Sequence, residues 1–125
     1  MSDLLVYVDV SKIREGKLED LHVAMKELAA FVEANEPQLI SYGFFLDEDR
    51  RLMTVVAVHP DSASLEFHMD IGGPKFQKFA VLIELQRIEV FGRISDAVLD
   101  RLKQKTQVLG GTVSVHKVYA GFSRT

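Results

Sequence analysis

The sequence predicts an α+β protein of ferredoxin-like type: a four-stranded antiparallel sheet with helices on one face, followed by a helix–strand extension. Three observations carry this. Over residues 4–93 the periodic segments run strand, helix, strand, strand, helix, strand, which is the β-α-β-β-α-β order. Strand-like stretches alternate in hydropathy, while helical ones repeat at three- and four-residue steps. A further helical stretch and a strand-like run follow Ser95, with no Pro- or Ser-rich linker between. At 125 residues the chain is read as one domain, 1–125, with 94–125 as the extension.

The first strand is "LLVYVDV". Leu4, Val6, Val8 and Val10 share one face, Leu5, Tyr7 and Asp9 the other. Leu18, Leu21, Met25, Leu28 and Val32 then form the apolar stripe of an amphipathic helix, which Pro37 ends. "QLISYGFFL" and "RLMTVVAVH" flank a short polar link and read as a hairpin. Asp61 or Ser62 offers an N-cap for "SLEFHMD". Gly72-Gly73 is expected to stop this helix, and Pro74 to open a second short one carrying Phe76, Phe79, Ala80 and Ile83 on one face. "LQRIEVFGR" is the fourth strand. Ser95 caps a third helix with Val98, Leu102 and Leu109 in its stripe, Gly110-Gly111 end it, and "TVSVHKVYAGF" reads as a fifth strand.

Composition narrows the functions. The net charge is −3 and no basic arm or charge run is present, so nucleic acid is not an expected partner. Cysteine is absent, which removes disulfides, thiolate metal sites and a cysteine nucleophile, and fits a cytoplasmic location. The opening "MSDLLVYVDVSK" lacks the basic and apolar regions of a signal peptide. The apolar runs are too short for a membrane-spanning helix. Phosphate-loop, dinucleotide-fold and serine-hydrolase elbow motifs are all missing. The four histidines show neither HxxxH nor HxH spacing, so no metal is expected. The hairpin strands carry apolar residues on both sides. A sheet with helices on one face then has a second apolar face to cover, most simply against a second copy of the chain. The extension would cover part of that face or exchange across the dimer.

His68 is the sharpest candidate for chemistry, because imidazole is the side chain that exchanges protons near neutral pH. The plainer alternative is a helix histidine at the surface. Phe67 and His68 are neighbours and point about 100° apart on a helix, so spacing alone does not choose between them. Tyr42 and Tyr7 lie on strands, where their hydroxyls would orient a ligand or simply reach the surface. Phe67, Phe76 and Phe79 serve equally as core or as pocket walls. Gly72-Gly73-Pro74 either turns the chain or forms a lid over a pocket.

The segment "SLEFHMDIGGPKFQKF" within this element order resembles the antibiotic-biosynthesis-monooxygenase-like group of the dimeric α/β-barrel superfamily. Ala63, His68, Pro74, Phe76 and Phe79 match its helix pattern, and "IEVFG" matches the strand that follows. The resemblance implies two protomers pairing their sheets, with a pocket between each sheet and its helices. Several members of that group oxidise aromatic polyketides or quinols with oxygen and no metal or flavin; others degrade haem. The haem-degrading members share an Asn, Trp and His set. This chain has no tryptophan, and its asparagine, Asn35, falls at the end of the first helix, so haem degradation is not expected. Phe67 would replace the bulk of a tryptophan but not its N–H donor. The resemblance therefore implies a cofactor-independent monooxygenase acting on a phenol or quinol. His68 would be catalytic, Tyr42 assisting, and Phe67, Phe76 and Phe79 lining the pocket. The alternative is a non-catalytic dimeric barrel that binds a small apolar molecule.

Overall fold

A computed structural model of the chain describes residues 3–125; Met1 and Ser2 lie outside it. The elements are β1 (Leu5–Ile13), α1 (Leu18–Asn35), β2 (Ser41–Asp47), β3 (Leu52–His59), α2 (Ser62–Phe76), a 3-10 helix (Gln77–Val81), β4 (Ile83–Phe91), α3 (Asp96–Leu109) and β5 (Thr112–His116). They form one sheet in the order β2-β3-β1-β4-β5. β1 pairs antiparallel with both β3 and β4, and β2 pairs antiparallel with β3. This is the ferredoxin-like arrangement with one strand added. The added strand, β5, runs parallel to β4, and α3 supplies the crossover that a parallel pair requires.

The helices pack on one face of the sheet. Leu21, Met25, Leu28 and Val32 of α1 are buried there with Leu5, Tyr7, Val55, Ala57, Ile88 and Val90 from the strands. Val98 and Leu102 bring α3 onto the same core. Ser95 caps α3 by accepting from the Val98 N–H, and Asp61 caps α2 by accepting from the Ser64 N–H. Two links join α2 to α3: Ser95 N–H donates to Ser62 Oγ at 3.0 Å, and Arg101 pairs with Asp70.

The expected break in α2 does not occur. The helix continues through Gly72, Gly73 and Pro74 and gives way to the 3-10 helix after Phe76. Neither glycine takes a positive φ, so neither acts as a stop. A Cβ on Gly72 would lie 2.5 Å from the Phe76 ring. Phe76, one turn on, packs against the bare backbone. Tertiary packing thus overrides the cost of about 1 kcal/mol that glycine carries in a helix. The fifth strand is also shorter than the alternation suggests: it ends at His116, and the chain beyond is irregular and exposed.

β1 places Leu5, Tyr7 and Asp9 beneath the helices and Val6 and Val8 on the outer face. The register of β1 against β4 slips between Val10 and Ser11, with Gln86 as the extra residue. The bulge keeps Leu85 and Ile88 both inward and turns Arg87 outward. The outer face carries a half-buried valine cluster across paired strands, Val6 with Val58 and Val8 with Val56. Phe45 and Phe91 are exposed beside it.

Candidate functional site

A cavity lies between the inner face of the sheet and all three helices. Its wall is mostly apolar: Leu28, Phe44, Met53, Val55, Phe76, Phe79, Ile83, Leu85 and Leu109. Into this wall five polar side chains project, Tyr7, Asp9 and Ser11 from β1, Tyr42 from β2 and Lys105 from α3, and His68 joins them from α2. The free space is about 40 Å3, enough for a water or two and well below the several hundred Å3 of an occupied ligand pocket. A ligand of aromatic size therefore requires the wall to part.

His68 is buried, and its Nδ1 lies 2.6 Å from Glu36 Oε2. With the carboxylate as acceptor, Nδ1 carries the proton and Nε2 presents a lone pair without a protein partner. Glu36 follows the last residue of α1, where its N–H still bonds to Val32. It is itself 4% exposed, and its second oxygen, Oε1, has no hydrogen-bond partner. The His68 ring is held between Tyr42 (5.2 Å between centroids) and Phe76 (5.0 Å). Glutamate, histidine and a free ring nitrogen form the base–orienter arrangement that general acid–base chemistry uses.

His59 stands behind this pair. Its Nδ1 is 2.8 Å from Ser64 Oγ, and its ring meets His68 edge-on at 5.8 Å. Burial, and then the proximity of His68, push its pKa down to about 4. His59 therefore stays neutral and supports His68 without competing for its proton.

Burial pushes the Tyr42 hydroxyl well above the ordinary phenol range, and the nearby Asp9 and Glu36 add to the shift. Tyr42 remains a neutral donor. Tyr7 is raised for the same first reason, then by Asp9. Its hydroxyl donates to Asp9 Oδ2 at 2.6 Å and accepts from Lys105 Nζ at 3.0 Å. Lys105 also stands 3.6 Å from Asp9 Oδ2. Beside this triad the Ser11 hydroxyl is fully buried and has no hydrogen-bond partner.

The residues singled out in the sequence separate cleanly. His68, Tyr42, Phe76 and Phe79 line the cavity together. Phe67 does not: it is 44% exposed, on the outer side of α2. With His68 turned inward, its neighbour about 100° away faces out, and Phe67 is not among the residues that line the cavity. Glu36, Asp9, Ser11 and Lys105 were not anticipated as site residues. Among the described residues no group of three or more His, Cys, Asp or Glu is placed to hold a metal ion. His22 pairs with Glu48 on the surface, and His116 with Glu89 at the end of β5.

No family model matches the chain, and no curated protein matches it by sequence. Solved structures do match. MupZ from Pseudomonas fluorescens superposes with a TM-score of 0.76 at 20% identity, over 99% of this chain and 91% of that one. SnoaB from Streptomyces nogalater, a cofactor-independent oxygenase, gives 0.62 at 16% identity, over 75% and 96%. A Caulobacter crescentus protein provisionally assigned as an antibiotic biosynthesis monooxygenase gives 0.57 at 19%, over 75% and 92%. The chain thus shares the ferredoxin-like α+β fold of these structures. The SnoaB and Caulobacter structures each cover about three quarters of this chain, whereas MupZ spans nearly all of it.

Proposed function

We propose that this protein is a cofactor-independent monooxygenase of the same type, acting on a phenol or quinol held in the cavity. The observation that carries the reading is the buried His68–Glu36 pair opening onto an apolar, water-poor wall. In this reading Nε2 of His68 takes the hydroxyl proton, and Glu36 steadies the imidazolium that results. The substrate anion gives an electron to oxygen, and recombination forms a C–O bond that leaves a peroxide anion on a ring carbon still carrying hydrogen. His68 returns its proton to that peroxide. Nε2 then takes the proton from the ring carbon as the O–O bond breaks, so the carbon becomes a carbonyl, and the departing hydroxide receives that proton and leaves as water. Tyr42 donates to the substrate oxygen, and Phe76 and Phe79 hold the ring. The electrons come from the substrate, so the reaction draws on no metal or flavin.

A homodimer completes the picture. Two outer faces, each with Val6, Val8, Val56 and Val58 at the centre, would pair to close a barrel and bury Phe45 and Phe91. In the described residues no helix is long and apolar enough to cross a membrane.

The second reading is a non-catalytic barrel that binds a small apolar molecule, which the mostly apolar wall supports. Oxygen uptake with a panel of hydroquinones and dihydroxynaphthalenes separates the two, using metal-free protein and the uncatalysed rate as baseline. The monooxygenase reading expects wild type to exceed autoxidation and His68→Ala to lose most of the gain. Equal rates in both proteins would leave the binding reading in its place.

A further inference from the structure

The cavity holds about 40 Å3 of free space, so either reading above requires one of its walls to move. The walls are not equally fixed. The strands beneath are paired to one another along their length. Leu21, Met25, Leu28 and Val32 bury one side of α1. Val98 and Leu102 bury α3, which is also tied by Lys105 to Tyr7 and Asp9 and by Arg101 to Asp70. The end of α2 and the 3-10 helix lack such anchors. We propose that residues 72–81 form a gate that swings about Gly72-Gly73 and lifts Phe76 and Phe79 out of the cavity wall to admit a ligand. The inference rests on the cavity being the binding site, which the enzymatic and the non-catalytic readings share.

The helix is weakest where the gate begins. Each glycine disfavours a helix interior by roughly two- to fivefold relative to alanine, and two stand in succession. Pro74 follows them inside the helix. Having no N–H, it offers nothing to the carbonyl of Asp70 one turn back. The turn after Phe76 is 3-10, with poorer hydrogen-bond geometry. Just before the glycines, by contrast, the stem of α2 is pinned, by His68 to Glu36 and by Asp70 to Arg101. A pinned stem followed by a loosely bonded segment makes a hinge.

Little holds the segment shut. Pro74, Gln77, Lys78 and Val81 are exposed, Phe76 is half-buried and Phe79 is buried. Lys75 Nζ lies over the Phe31 ring at 4.6 Å, Phe79 stacks on Phe44 at 6.0 Å, and Arg14 Nε donates to the Ala80 carbonyl at 3.4 Å. Phe76 is the latch. Its ring occupies the place that a Cβ on Gly72 would need, and it lies 5.0 Å from the His68 ring. Gly72 thus loosens the helix and also seats the closed ring. Lifting Phe76 bares one side of His68.

The chain contains no cysteine, so a single thiol placed on the cavity wall reports the opening. Ser11 is fully buried and lines the cavity, and Ser11→Cys changes its size little. Labelling of this thiol by dithiobis(nitrobenzoate), itself an aromatic molecule, is followed in folded protein from zero to low urea. It is repeated with Gly73→Ala or Gly72→Ala added. The expected rate is nearly flat in urea below the unfolding transition, because a gate exposes little surface. Gly73→Ala meets open space and favours the helix, so it should slow labelling about two- to fivefold. Gly72→Ala unseats Phe76 and should speed it. In wild type, hydrogen exchange should show the amides of residues 76–82 less protected than those of 64–70 and 98–106. The inference is overturned by an unlabelled thiol in the folded protein, or by a rate that rises with urea as steeply as unfolding does. A rate that Gly73→Ala leaves unchanged overturns it too, as do α3 amides that open before 76–82. Neither substrate nor oxygen enters these measurements, so a failed oxygen assay leaves the gate separately decided.

Discussion

Glu36 Oε2 and His68 Nδ1 meet at 2.6 Å although 32 residues separate them in the chain. One sits at the C-terminal end of α1, the other in the middle of α2, and the packing of the two helices creates the pair. Glu36→Gln keeps the shape and an acceptor for Nδ1 but removes the charge that stabilises the imidazolium. Turnover in the oxygen assay is expected to fall roughly 100-fold, the lower end of what positioned acid–base groups supply, with little change in KM. An unchanged rate would mean that the carboxylate has no part in the chemistry.

His59 gives the fold a pH dependence whose sign follows from its depressed pKa of about 4. Between the ordinary histidine value of about 6.5 and 4 the unfolded chain binds the proton and the folded one does not. Stability is therefore full above pH 6.5, falls on acidification through this window and levels off below it. The loss is up to about 3 kcal/mol. Urea melts from pH 7 to pH 4.5 should show a shallower decline in His59→Gln. The same slope in both proteins would place the acid sensitivity elsewhere.

The two adjacent glycines of α2 should respond in opposite directions. At Gly72 a methyl group collides with the Phe76 ring, whereas at Gly73 it meets nothing within 4 Å. Gly72→Ala is expected to lower stability by about 1–2 kcal/mol, the overpacking cost less the helix-propensity gain. Gly73→Ala is expected to raise it by about 0.5–1 kcal/mol. Denaturant midpoints of the two variants check both signs, and a common sign would contradict the packing described for Phe76.

The outer sheet face predicts the oligomeric state. Val8 is half-buried at its centre, opposite Val56. If two copies pair there, sedimentation should report a dimer for wild type and a monomer for Val8→Lys, with the far-ultraviolet spectrum retained. A wild-type monomer would remove the paired-sheet arrangement.

Local periodicity carried most of the fold, since strand and helix order depend on alternation and on three- and four-residue steps. It misjudged "GGP", because the reason for Gly72 is a ring one turn away rather than a turn in the backbone. Periodicity also could not say which face of β1 turns inward. The face with Leu4, Val6, Val8 and Val10 is fully apolar, yet the face with Tyr7 and Asp9 lies beneath the helices. An aspartate on the inner face of a strand needs a partner, and that partner, Lys105, comes from a helix nearly a hundred residues on. Glu36 was hidden for the same reason. His68 and Phe67 were separable only once α2 had a fixed rotation on the sheet.

The bond between Lys105 and Tyr7 spans 98 positions of the chain. Contacts of such separation close late in folding, after the local hairpins and helices that bring their ends together. Until α3 docks, the buried carboxylate of Asp9 has no cation beside it. The strand at the centre of the sheet is thus neutralised by a helix from the far end of the chain, and the cavity is chemically complete only with the last quarter of the protein docked on it.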